Sequence, residues 1–215
     1  MNLNEYDTII PIGSNCRSGM ALRDLGLRKK AFPLDWTLTT SRSIYECFLN
    51  NFENFLDYET CREQNLKHIV DFKHIINHKY NVNITHEPKL NQDAIEKYKR
   101  KVNNLYDSIE SSNKVLLIRN MLDCGMSDVI HKDIALKEKA NGFDHFDLQW
   151  IYKTKDLIKN NYENLQVDLL VIYFDEKNIK NNKRKDVVYK TSNYPKKGKE
   201  WDRFACIEIF KELMK

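Results

Sequence analysis

Two uninterrupted apolar runs, residues 114–119 (Lys-Val-Leu-Leu-Ile-Arg) and 167–174 (Val-Asp-Leu-Leu-Val-Ile-Tyr-Phe), constrain the fold more than any other feature. A strand with one wet face alternates apolar and polar residues, whereas a strand covered on both faces reads as continuous Val, Leu and Ile. Residues 146–160, between the two runs, carry a helical pattern. Strand, helix, strand at this spacing is a βαβ unit, which implies parallel pairing and helices packed against the sheet. The expected fold class is therefore α/β: three-layer, with a mostly parallel central sheet and helices on both faces.

The rest of the chain fits around that unit. Ile9, Ile10 and Ile12 suit a buried strand ending in Gly13-Ser14-Asn15, and a helical pattern begins at Cys16. Pro33 ends any helix and pushes Phe32 toward extended geometry. Residues 41–55 read as a helix capped by Ser41, and 91–111 as the clearest amphipathic helix. Residues 65–76 stay ambiguous, 80–85 alternate like a strand, and 201–213 read as a closing helix. No repeat or linker divides the sequence, so residues 1–215 are expected to form one domain with a Lys/Asn-rich loop or hairpin at about 176–200. That segment is a solvated loop, with residues 186–190 as a short edge strand, or a basic lip over a site for an acidic ligand.

Composition narrows the function. A net charge of +4 is too mild and too evenly spread for a dedicated nucleic-acid binder. No apolar run is long enough for a membrane span, and the first residues lack a secretory pattern. Five scattered cysteines (Cys16, Cys47, Cys61, Cys124, Cys206) form no CxxC pair, as for reduced thiols in a cytoplasmic compartment. No cofactor or metal is expected, since the nucleotide-binding glycine fingerprints are missing, and without GxSxG a serine-hydrolase elbow is unsupported as well. His74 and His78, four apart, could share a helix face, but no third ligand joins them at a zinc spacing.

Several residues could carry chemistry. Cys16 opens a helix, where unpaired N–H groups and the positive dipole end stabilise a thiolate, and Arg17 pushes the same way. The competing reading is a small buried residue packing helix onto sheet. His86 ends a predicted strand, where α/β folds assemble sites, and serves as a base or as a surface cap of the strand. His131 and His145 are weaker candidates. Asp35 stands among apolar residues in Phe32-Pro33-Leu34-Asp35-Trp36, and orients a histidine, binds a substrate cation or caps backbone. Arg119, Asn120 and Asp175 follow the two apolar strands and are expected on one rim. Arg119 there is an anion clamp or a structural ion-pair partner. Ser14, Asn15, Arg17 and Trp36 complete the expected substrate-binding set.

Ile10-Pro11-Ile12-Gly13-Ser14-Asn15-Cys16, then residues 22–27, then Phe32-Pro33-Leu34-Asp35-Trp36 together resemble a bacterial and viral domain family of unknown function typed as papain-like cysteine peptidases. Members show a strand, Gly-Ser-Asn-Cys, a helix and Pro-Phe-Asp-Trp, with Leu34 replacing the usual Phe here. The resemblance continues through Ile84-Thr85-His86, Leu116-Leu117-Ile118-Arg119 and Trp201. It implies Cys16 as nucleophile, His86 as base, Asp35 or Asn15 as orienter, and a papain-like α+β fold as the alternative architecture. The expected activity is that of a cysteine-dependent hydrolase or acyltransferase on an amide or ester of a peptide, acyl or glycan-linked substrate. A nucleotide-sugar or glycan-related transferase or binding module, motivated by the parallel sheet, Arg119 and the Lys-rich segment, is the alternative. A non-catalytic interaction protein on an enzyme scaffold is the third.

Overall fold

A computed structural model describes residues 1–13, 15–65, 73–84, 86–121, 148–173, 183–192 and 201–215. In chain order its elements are β1 (Thr8–Pro11), α1 (Arg17–Asp24), β2 (Thr37–Leu38), α2 (Ser41–Leu49), β3 (Cys61–Asn65), β4 (Lys73–Asn77), β5 (Val82–Ile84), α3 (Gln92–Glu110) and β6 (Lys114–Asn120). Then follow α4 (Gln149–Asn161), β7 (Gln166–Tyr173), β8 (Val188–Thr191) and α5 (Trp201–Leu213).

The two apolar runs are the centre of a four-stranded parallel sheet, ordered β1-β6-β7-β8. Leu117 of β6 sits beside Ile10 of β1 and Leu169 of β7. Alternate residues feed two cores. Leu116, Ile118, Leu170 and Ile172 pack with Ala21 and Leu22 of α1 and Ala205, Ile209 and Phe210 of α5. Val115, Leu117, Leu169 and Val171 pack with residues of α2, α3 and α4, among them Ile44, Leu105 and Ile151. Apolar partners on both sides explain the uninterrupted runs. Each such side chain contributes about 1.5–3 kcal/mol on leaving water.

A second, antiparallel sheet, ordered β2-β5-β4-β3, holds elements the sequence left ambiguous. The alternating stretch at 80–85 contributes β5, and of the ambiguous stretch at 65–76 the described residues supply the end of β3 (Asn65) and the start of β4 (from Lys73). The chain is thus α/β as expected, with its parallel sheet joined by a second, antiparallel sheet that the sequence did not reveal as such. Ile75, Val82 and Ile84 of the antiparallel sheet join the same core as α2, α3 and α4.

Two helix boundaries also differ from expectation. The cap of α2 is Thr40, whose side chain accepts from Ser43 N–H, and Ser41 is the first helical residue. This helix stops at Leu49 rather than continuing to Phe55. Asn51, Phe52 and Asn54 take positive φ values, and Phe52 and Phe55 turn inward onto Phe48, Tyr80 and Tyr98. Burial of the aromatic rings outweighs the local strain of leaving the helix. The helix expected at 91–111 forms as α3, capped by Asn91.

Candidate active site

The site begins where β1 runs out. Ile12 N–H still bonds Ile118 carbonyl at 2.9 Å, and Gly13 then turns the chain with φ +73°. Asn15 is buried, and its side-chain oxygen accepts from Arg17 N–H (3.0 Å) and from Asn120 Nδ2 at the end of β6 (3.2 Å). The Asn15 amide nitrogen donates to Asp202 Oδ2 in the first turn of α5 (3.5 Å), and Arg17 Nε meets Asp202 Oδ1 at 3.3 Å. Cys16 stands between these two anchored neighbours, at the N-cap of α1.

Exposure separates the four described cysteines. Cys16 is partly exposed, while Cys47, Cys61 and Cys206 are buried. Burial pushes all three buried thiols above the ordinary cysteine pKa. Cys16 is the one of the four that a substrate or reagent can reach.

His86 reaches this corner through the second sheet. Strands β2 and β5 are antiparallel, with Thr37 opposite Ile84, so the residue before β2 meets the chain leaving β5. Trp36 and His86 accordingly make an edge contact, ring centroids 5.1 Å apart at 69°. Arg23 and Arg28 lie over the Trp36 ring, 5.5 and 5.7 Å from its centre. His86 remains exposed on its outer side. Partial desolvation, then the charges of Arg17, His74 and Lys101, hold its pKa below the usual imidazole value. Such a ring is neutral at neutral pH, as a general base must be. The action of Arg17 on His86 brings the residue beside Cys16 into electrostatic reach of the imidazole.

Residues 7–169 match the model of a family described as "Putative papain-like cysteine peptidase (DUF1796)". The chain belongs to this family. Searches of the curated proteins and of the solved structures each returned no significant match. The part matching DUF1796 contains Cys16, Asp35, Trp36, His86, Arg119 and Asn120, and ends within β7, before β8 and α5.

Within this DUF1796 chain, Asp35 does not bond His86. It is fully buried, and its Oδ2 accepts from Arg28 Nε (2.9 Å), Arg28 Nη2 (2.5 Å) and Phe32 N–H (2.9 Å). Burial raises its pKa against the pull of Arg28. Of the readings open for Asp35, the backbone cap is the one these contacts match: Arg28 and the Phe32 N–H hold Oδ2, which anchors the Phe32–Trp36 turn. Gly19 lets α1 approach: a Cβ there would lie 3.1 Å from Asp35 carbonyl oxygen. The turn that carries Trp36 is thereby held against the helix that follows Cys16.

Arg119 is also fully buried, donating to Ile12 carbonyl (3.3 Å), Thr39 Oγ1 (3.4 Å) and Thr39 carbonyl (3.3 Å). An open rim position for its guanidinium is corrected to a buried tie between β6, the β1 exit and the β2–α2 connection. Asn120 does lie at the site, through Asn15. His74 and His78 do not share a helix face: His74 lies in β4, its Nδ1 3.1 Å from Asn83 Oδ1, and His78 follows that strand. Among the described residues no three His, Cys, Asp or Glu side chains are grouped to hold a metal ion, and no helix is long and apolar enough to cross a membrane. Ser14, Asp175, His68, His131, His145, Cys124 and most of 176–200 lie outside the described residues.

Three contributors escaped the sequence. Asp202 stood next to Trp201 in what read as a helix start, and Arg28 in a run of basic residues. Lys101 fell on the exposed-looking side of α3 but is buried, its Nζ 3.8 Å from the centre of the Tyr98 ring. Only the charge sign at each position hinted at these pairings, and charge sign does not choose a partner.

Proposed function

We propose that this chain is a cysteine-dependent hydrolase or acyltransferase on an amide or ester, built on a three-layer α/β domain spanning residues 1–215. Cys16 is the nucleophile and His86 the base. His86 takes the proton from Cys16 Sγ as the sulfur attacks the substrate carbonyl carbon. The resulting imidazolium returns that proton to the departing amine or alcohol, leaving a thioester on Cys16. Water or a second acyl acceptor, deprotonated by His86, then displaces the sulfur and regenerates the thiol. Asn15 and Asn120 hold the turn that presents the nucleophile. Trp36 supports the base.

The observation that carries this reading is the contrast among the thiols: Cys16 is partly exposed at a helix start, whereas Cys47, Cys61 and Cys206 are sealed. Alkylation by iodoacetamide across pH tests it, with labelled sites read by mass spectrometry. Cys16 should react first, with a rate midpoint below pH 8, about half a unit or more under an ordinary thiol. Labelling that begins at another cysteine overturns the assignment. Thermal stabilisation by a nucleotide sugar that persists in Cys16→Ser would favour a glycan-related transferase instead.

A further inference from the structure

We propose that Asp202 is a positioning residue for Cys16, so that the last helix completes the active site. This rests on the thiol reading above and adds a residue from outside the part of the chain that matches the family, residues 7–169. Asn15 and Asp202 are 187 residues apart in sequence. The two oxygens of one fully buried carboxylate hold both neighbours of the nucleophile: Oδ2 accepts from Asn15 Nδ2 at 3.5 Å, and Oδ1 meets Arg17 Nε at 3.3 Å. Oδ1 also accepts from Arg203 N–H at 3.0 Å, which fixes the carboxylate against its own helix. Asn15 in turn receives Arg17 N–H and Asn120 Nδ2, so the clamp extends to the end of β6.

Docking of α5 does not require this buried charge. Ala205, Cys206, Ile209 and Phe210 already pack against Ala21 and Leu22, and Arg203 pairs with Asp24 at the end of α1. A buried ion pair is a poor source of stability, since desolvation offsets most of its attraction. Orientation and charge balance are what remain. Arg17 acts on His86, and Asp202 supplies the opposite charge that limits that action. Among the described residues the charged and titratable groups around this corner are Arg17, Arg23 and Asp24 on α1, and Asp202, Arg203 and the buried Cys206 on α5. Beyond them lie His86 after β5, His74 on β4 and Lys101 on α3.

The experiment uses the full chain with Asp202→Asn, Asp202→Glu, and the pair Asp202→Asn with Arg17→Gln. Two readouts are followed with pH: the alkylation rate of Cys16 and the imidazole resonances of His86. In Asp202→Asn the loss of the carboxylate's negative charge should lower both midpoints, each by roughly half to one pH unit. Turnover should fall about tenfold or more with KM changed far less, as when a positioning contact is lost. The double variant should restore the midpoints but not the turnover, and Asp202→Glu should recover part of the turnover. If Asp202→Asn fails to fold, the double variant, which buries no unpaired charge, decides. Wild-type turnover in that variant overturns the proposal, as do unchanged midpoints in Asp202→Asn. A wild-type Cys16 that alkylates no faster than the buried thiols would instead sink the thiol reading, while the His86 midpoints still report on Asp202.

Discussion

Gly13 and Thr39 approach so closely that a Cβ on Gly13 would lie 2.0 Å from Thr39 Oγ1. Thr39 receives the buried Arg119 through both its hydroxyl and its carbonyl, so it cannot retreat without breaking that tie. The chain also needs φ +73° at this point, a value that any side chain resists. One glycine therefore sets the path from β1 into the Cys16 turn.

Gly13→Ala should lose stability by about 2 kcal/mol or more, from the clash and the positive φ together. Thermal or urea unfolding measures this. Alkylation of Cys16 in the folded variant should lose its preference over the other thiols, because the turn is displaced. Wild-type stability would show that Thr39 and its partners yield at no cost.

Because the His86 pKa lies below the usual value, activity should survive acidification further than an ordinary imidazole allows. The acidic limb of the kcat/KM profile is expected below pH 6.5, the ordinary histidine value. Removing a positive neighbour weakens the repulsion of the proton, so Lys101→Met should move that limb, and the His86 imidazole titration, upward. A limb that stays in place would separate Lys101 from His86.

Lys101 has a second, independent consequence. Its side chain is buried without an ion-pair partner among the described residues, and burial, then Lys97, bring its pKa down to about 8. The unfolded chain holds this proton more tightly than the folded one, so the penalty is present below pH 8 and fades as pH rises toward the ordinary lysine value. Lys101→Met should thus be more stable than the parent at pH 7, by on the order of 2 kcal/mol. That advantage should shrink between pH 8 and about 10.4, the model lysine value. Denaturant unfolding at several pH values reads the difference, and a constant gap would contradict it.

Asp35→Ala should be among the most damaging single changes away from the reacting groups. It leaves the Phe32 N–H unpaired in the interior and removes the acceptor of the half-buried Arg28, a loss of about 2–3 kcal/mol. Asp35→Asn keeps an acceptor and should cost less. Turnover per folded molecule should drop in both only as far as Trp36 and His86 shift. A variant that folds normally yet is inactive would return Asp35 to a direct part in the chemistry.

What the sequence determined by itself was the local chemistry of each segment. The continuous apolar runs read as strands covered on both faces, and their described residues, 114–119 and 167–173, lie at the centre of the parallel sheet. Gly13 to Cys16 read as a strand exit into a helix, and the α3 stripe read as a helix, because periodicity and turn residues act over short range. The antiparallel sheet was only partly legible: β3 and β4 carry polar residues, among them Arg62, Glu63, Gln64 and His74, that mask the alternation. Partner choice lay beyond the sequence altogether. Arg28 with Asp35, Arg17 with Asp202, and Arg119 with Thr39 are all pairings of groups whose signs were visible and whose neighbours were not. Hydrogen bonds and ion pairs act over a few ångströms, so only the packing of α1, α5 and the two sheets could decide which of them formed.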